Sequence, residues 1–237
     1  MHLSDFNPPA WVDIMNIKTQ SYLYTLAYIL MSHLKHSLLN KNYLLKVQKA
    51  MSFGTFSKSL FFDFMQINTQ RKYLKLYEAQ SYKGPIEENS LIYFAHFQPE
   101  ANTDPEVGYF SNQLANLDAL CKLYPSKKIY YKEHPGVWNY TGNRVGLTRV
   151  GLCRNTKYLD FVKKRAILLD RNYKISRELH SNETITFVSI NGTIGLQRAL
   201  NGLKTYFFED YWFKDYFKGL IQKLPVNGEA NAELDNM

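Results

Sequence analysis

Apolar positions in the first third of the chain recur at three- and four-residue spacing. Leu23, Leu26, Leu30, Leu34 and Leu38 paint one apolar stripe on a helix expected over roughly 17–49, and such a stripe is first of all a core-facing surface. Its flank of Tyr22, Tyr24 and Tyr28 offers a second reading, an aromatic face resting on a membrane surface. A further helix is expected over 56–82, where Leu60, Phe61, Phe64, Met65, Tyr73, Leu76 and Tyr77 keep the helical spacing until Lys83-Gly84-Pro85 breaks it.

The rhythm changes after Gly84. Short apolar runs at Leu91 to Phe97, Lys128 to Tyr131, Ala166 to Leu169, Thr184 to Ile190 and Thr205 to Phe208 read as strands. Between them lie helical patterns at Tyr109 to Tyr124, Lys157 to Lys164, Ser176 to His180 and Thr193 to Asn201. Strands alternating with helices predict an α/β fold with a Rossmann-like, mostly parallel sheet. The expected organisation is a helical segment over 1–84, a Rossmann-like domain over 85–224, and a flexible acidic tail over 225–237, where apolar periodicity is lost.

Composition narrows the classes. With 45% hydrophobic residues and only 12 Gly and 8 Pro among 237 residues, disordered and collagen-like chains are excluded. Cys121 and Cys153 are the two cysteines, too few for a disulfide framework or a four-thiolate zinc site, so a reducing, cytoplasmic compartment is expected. Met1 to Ala10 carries Asp5 and Pro8-Pro9 in place of a basic region followed by an apolar one, so no secretory signal is expected. The uncharged stretch between Lys18 and Lys35 is rich in hydroxyl and amide side chains, which argues against a membrane-spanning helix.

The charge of +8, from 29 Lys and Arg against 21 Asp and Glu, favours an anionic partner: nucleic acid, an acidic membrane surface, or a negatively charged sugar or nucleotide. The basic residues are scattered and carry no nucleic-acid-binding signature, so no specific nucleic-acid partner is expected.

In open α/β sheets ligands bind beyond the carboxyl ends of the strands, which singles out three segments. His96-Phe97-Gln98-Pro99-Glu100 follows Leu91 to Phe94 of the first strand, and Glu100 there can act as a base or accept a hydrogen bond from a sugar hydroxyl. Lys132-Glu133-His134-Pro135 follows the second. Pro135 pushes His134 to an extended conformation, His134 can donate a proton or hydrogen bond to a departing phosphate, and Lys132 can neutralise charge. An exposed turn with solvated charges accounts for this tetrapeptide equally well. Ser189-Ile190-Asn191-Gly192-Thr193-Ile194-Gly195 follows Thr184 to Val188 of the fourth strand and opens a helix. Its glycines allow close backbone approach and its helix amides attract phosphate, although an Asn-Gly turn with Thr capping a helix is also a common structural device. His33 and His36, three apart on the first helix, lack the partners of a metal site, and no metal or other cofactor is expected.

Taken together and in order, YFAHFQPEANTDP at Tyr93 to Pro105, YYKEHP at Tyr130 to Pro135, LLD at Leu168 to Asp170 with Ser176 and Leu179 after it, and SINGTIGLQRALNG at Ser189 to Gly202 resemble the capsule polysaccharide biosynthesis family. That family comprises bacterial Kdo-transferase-like glycosyltransferases with two Rossmann-like halves. The resemblance covers about half of the chain, Leu91 to Phe213, and implies transfer from a CMP-activated acidic sugar such as CMP-Kdo to a glycan or glycolipid acceptor. It implies Glu100 and His134 as catalytic residues, with Gln98, Lys132, Pro135, Ser189, Asn191, Gly192, Thr193 and Gln197 binding the donor.

Two departures stand beside it. Gln197-Arg198 occupies the place of the family's Glu-Ala, and only helices are predicted before Leu91, so the acceptor half is expected to be missing or supplied by another capsule-assembly protein. The alternative is therefore a truncated, noncatalytic nucleotide-sugar-binding or partner-binding module. An enzyme extending a lipid-linked glycan works at the inner membrane face, so peripheral membrane contact is also expected.

Overall fold

The computed structural model describes residues 56–97, 112–138, 154–190, 192–209, 214–217 and 219–224, together with helical positions 23, 26, 27, 30, 31 and 34. The long helix α1, Phe56–Gln80, turns Ile67, Gln70, Tyr73, Leu74 and Tyr77 inward, the three- and four-residue spacing of one helical face. After the chain breaks at Lys83-Gly84-Pro85 the α/β alternation begins: β1 Leu91–Phe94, α2 Gln113–Leu123, β2 Ile129–Lys132, a 3-10 turn Pro135–Trp138, α3 Thr156–Lys163, β3 Ile167–Leu168, α4 Arg177–His180, β4 Thr186–Ser189, α5 Thr193–Leu200, β5 Thr205–Phe207 and β6 Ile221–Lys223.

The strands form one sheet in the order β3-β2-β1-β4-β5-β6, with every neighbouring pair parallel. This is the Rossmann order, in which the chain runs outward from β1 to β3 and then returns to place β4 on the other side of β1. The crevice between the ends of β1 and β4 is the topological switch point, where open α/β sheets hold ligands.

Both sheet faces are covered, so the strands are continuous apolar runs. Leu91, Tyr93, Ile129, Tyr131 and Val188 join a core closed by α1, α2 and α3 through Tyr73, Tyr77, Leu117, Leu120, Leu159 and Val162. Ile92, Phe94, Tyr130 and Phe187 point the other way and pack against Leu179 of α4 and Ile194 of α5.

All five expected strands are present, four of them shorter than expected and β2 shifted by one residue to end at Lys132, and the four expected helices among them lie where the spacing placed them. β6 was not expected. The leucine stripe differs more: Leu26 packs against the core, whereas Leu23 is 74% and Met31 65% exposed, and Leu30 and Leu34 are exposed too. α1 to α3 already cover that face of the sheet, so the stripe contributes to the core through Leu26 and lies open at Leu23, Leu30 and Leu34; Leu38 and the flanking Tyr22, Tyr24 and Tyr28 lie outside the described residues. The expected acidic tail, 225–237, lies outside the described residues. None of the described helices is long and apolar enough to cross a membrane.

Candidate functional site

The chain leaves β1 through Ala95-His96-Phe97 and leaves β4 through Ser189-Ile190, so these segments face each other across the switch point. His96 Nε2 lies 3.0 Å from Ser189 Oγ, and Ser189 Oγ accepts the Gly192 N–H at 3.0 Å. His96 is fixed by its backbone as well. Its N–H donates to Gln113 Oε1 and its carbonyl accepts from Gln113 Nε2, both at 2.9 Å. Burial, then the nearby His134 and Arg154, lower the His96 pKa to about 3, so its imidazole is neutral at physiological pH.

Gly192 is the cap residue of α5 and has an extended backbone with no side-chain capping bond. The expectation that Thr193 caps this helix is thereby corrected: Thr193 is the first helical residue and its side chain is exposed. Asn112 and Asn155, by contrast, cap α2 and α3 with their side chains. A Cβ at Gly192 would sit 2.7 Å from Ser189 Oγ and 3.4 Å from His96 Nε2, so this close approach requires glycine. The first turn of α5 therefore opens beside His96 and Ser189 with its positive dipole end, and among the described residues no side chain caps it.

The loop after β2 lies on the other side of Phe97. The Phe97 and His134 rings are 5.7 Å apart, and His134 Nδ1 accepts the Gly136 N–H at 3.0 Å. That bond assigns the neutral His134 its proton at Nε2. Burial lowers the His134 pKa to about 4, so at neutral pH His134 offers a hydrogen-bond donor and no transferable imidazolium proton. Of the two roles read from the sequence, hydrogen-bond donation is the one this geometry provides.

Beneath both loops lies a buried ion pair. Arg154 and Glu133 have fully buried side chains, with Arg154 Nε 2.7 Å from Glu133 Oε2. A guanidinium NH2 group of Arg154 also donates to Glu133 Oε1 at 3.1 Å and to the His96 carbonyl at 2.9 Å. The Glu133 carboxylate further accepts the hydroxyls of Tyr73 from α1 and Tyr131 from β2, and the His134 N–H at 2.9 Å. Burial and the Glu133 charge raise the pKa of both tyrosines well above the ordinary value, which keeps them as O–H donors.

Ser189, Gly192 and the start of α5 at Thr193 thus come together with His96, while His134 and Pro135 occupy the adjoining loop. Lys132 departs from expectation. Its ammonium donates to the carbonyls of Asp170 and Arg171 at 2.7 and 2.8 Å, so it ties the end of β2 to the loop after β3. Burial lowers its pKa to about 8. Gln197 stands one turn beyond Thr193 on α5 and is half-buried. Gln98, Glu100 and Asn191 lie outside the described residues. The sequence reading did not assign His96, Gln113, Arg154 or Tyr73 to the site. His96 directly follows a strand, the signal used for its neighbours; the other three are brought in by tertiary contacts that no local pattern announces.

No family model and no curated protein matches this chain. Among solved structures, the beta Kdo 2,7 transferase KpsC of Thermosulfurimonas dismutans is similar over 78% of this chain and 53% of its own, at 15% identity and a TM-score of 0.39. The chain spans about half the length of that protein.

Proposed function

We infer that the β1/β4 switch point binds the phosphate of a CMP-activated acidic sugar such as CMP-Kdo, and that the chain serves glycosyl transfer in capsule or surface-polysaccharide biosynthesis. The carrying observation is the meeting, at one crevice, of the uncapped α5 N-terminus, the His96–Ser189 pair held against Gly192, and the adjoining His134 loop. The resemblance of the YFAHFQPE, KEHP and SINGT segments to capsule-biosynthesis transferases names the donor class. A monophosphate leaving group needs less charge neutralisation than a diphosphate, and oriented amides with a neutral imidazole N–H suit it. In this reading His134 Nε2–H stabilises the departing CMP, Glu100 activates the acceptor hydroxyl, and Gln98 and Gln197 contact sugar and ribose.

Calorimetry with CMP tests the donor site. Wild-type chain is expected to bind, and His134→Ala or Thr193→Ala to weaken binding about tenfold or more, the loss of roughly one charge-assisted hydrogen bond. CMP affinity unchanged by either substitution would overturn the assignment. A second reading, a noncatalytic nucleotide-sugar-binding or partner-binding module, is favoured by the engagement of the Lys132 ammonium with two backbone carbonyls and by the uncharged Gln197. It predicts CMP binding without transfer to any acceptor, and turnover by the purified chain excludes it.

A further inference from the structure

We propose that Arg154 and Glu133 form the positioning unit of the switch-point site, setting the loop after β1 relative to the loop after β2 so that His96 and His134 address one ligand. A pair serving only stability could sit anywhere in the core. This one joins the two loops that carry the histidines: Arg154 holds the His96 carbonyl at 2.9 Å while its Nε meets Glu133. Glu133 in turn accepts the His134 N–H. The chain of contacts runs His96 carbonyl, Arg154 guanidinium, Glu133 carboxylate, His134 amide, with fully buried side chains at both charged members.

Gln113 extends the clamp by bracketing the His96 peptide through both its amide atoms. Tyr73 extends it to α1, and the Arg154 guanidinium lies 4.4 Å over the Tyr158 ring, which restricts it from a third side. A buried ion pair returns little net stability over an apolar replacement, because desolvation offsets its attraction. Its retention beneath two ligand-facing loops therefore fits positioning better than stabilisation. Arg154 and Glu133 need not touch the ligand; they act through His96 and His134. The ligand class rests on the function proposed above, whereas the positioning itself does not.

The decisive variant removes both charges at once. Breaking one partner strands a buried charge, while replacing the pair is often neutral for stability, so Glu133→Gln/Arg154→Met is expected to fold with a thermal midpoint near that of the parent. Imidazole NMR is the readout that a purely structural role would leave unmoved. In the parent, His96 and His134 are each expected to show one fixed tautomer and no titration between pH 5 and 8. In the double variant, averaged tautomers or titration near the ordinary 6.5 are expected, together with at least a tenfold loss of CMP affinity.

Arg154→Lys keeps the charge opposite Glu133 but lacks the fork that reaches the His96 carbonyl as well. It is expected to shift the His96 signals more than those of His134, and it decides the matter if the double variant does not fold. Fixed tautomers in the folded double variant, or His96 signals unmoved in folded Arg154→Lys, would overturn the inference. Absence of CMP binding by the parent would overturn the proposed ligand, and the histidine spectra would then still decide the positioning role.

Discussion

Neutral, buried histidines connect the chemistry of this site to the stability of the molecule. His96 is held to a pKa of about 3 and His134 and His180 to about 4, in each case chiefly by burial, against an ordinary value of 6.5. His180 lies against Phe187 with ring centroids 5.3 Å apart, and its buried Nδ1 has no hydrogen-bond partner. Because each folded-state pKa lies below that of the unfolded chain, acidification protonates the unfolded chain first. The stability associated with keeping these rings neutral is complete above about pH 6.5 and is lost as the pH falls through 6.5 toward 4, continuing to about 3 for His96. Each contributes on the order of 3–5 kcal/mol across its full window. Denaturant titrations are therefore expected to show a steep loss of stability between pH 7 and 5, above the range where carboxylates titrate. His180→Leu should make that slope shallower without lowering stability at pH 8. Equal stability at pH 7 and 5 would refute this account, as would an unchanged slope in His180→Leu.

At the scale of elements, α5 is the piece that ties the site to the sheet, and its geometry depends on two residues with no role in ligand contact. A Cβ at Gly195 would lie 2.4 Å from Phe207 Cζ and 3.0 Å from Thr205 Oγ1, so this glycine sets how closely α5 sits on β5. Gly195→Ala gains about 1 kcal/mol of helix propensity but forces the buried Phe207 ring to move, at a cost of about 1–3 kcal/mol. Net destabilisation in urea unfolding is expected, relieved in Gly195→Ala/Phe207→Leu, and a Gly195→Ala variant as stable as its parent would sink the packing argument. Arg198 is the second residue. Its guanidinium donates to the carbonyls of Leu179, His180, Asn182, Ile185 and Lys204 and lies 4.3 Å over the Phe187 ring. Arg198 thus has a structural role of its own, tying α5 to the loop before β4 and to the end of the helix. The strands were legible from sequence because a sheet covered on both faces writes unbroken apolar runs such as Leu91–Phe94, bounded by turns. β6 was not, since Ile221–Lys223 buries Ile221 and exposes Lys223 and is too short to show a period. Arg154 and Arg198 read as scattered basic residues, because their partners are a distant carboxylate and carbonyls that exist as a cluster only after folding.

For the molecule as a whole, the charge of +8 and the open helical stripe are both features that an anionic membrane surface would complement. Leu23 and Met31 are 74% and 65% exposed, and Leu30 and Leu34 line the same helical stretch. Phe61 and Met65 on α1 are exposed at 65% and 49%. Apolar side chains shown to solvent beside a net positive charge suit an anionic bilayer surface, where each nearby Lys or Arg contributes about 1 kcal/mol and the attraction decays within a Debye length of about 8 Å at physiological salt. Peripheral, salt-sensitive association would bring the switch-point site to a lipid-linked acceptor without a spanning segment. Flotation with anionic liposomes is expected at low salt and is expected to be lost at high salt, and Leu23→Glu/Met31→Glu is expected to reduce it while leaving CMP binding intact. Absence of flotation at low salt ends the membrane proposal. Flotation that persists at high salt contradicts its electrostatic basis and points to hydrophobic insertion, and equal flotation by the double glutamate variant removes the leucine stripe from the contact.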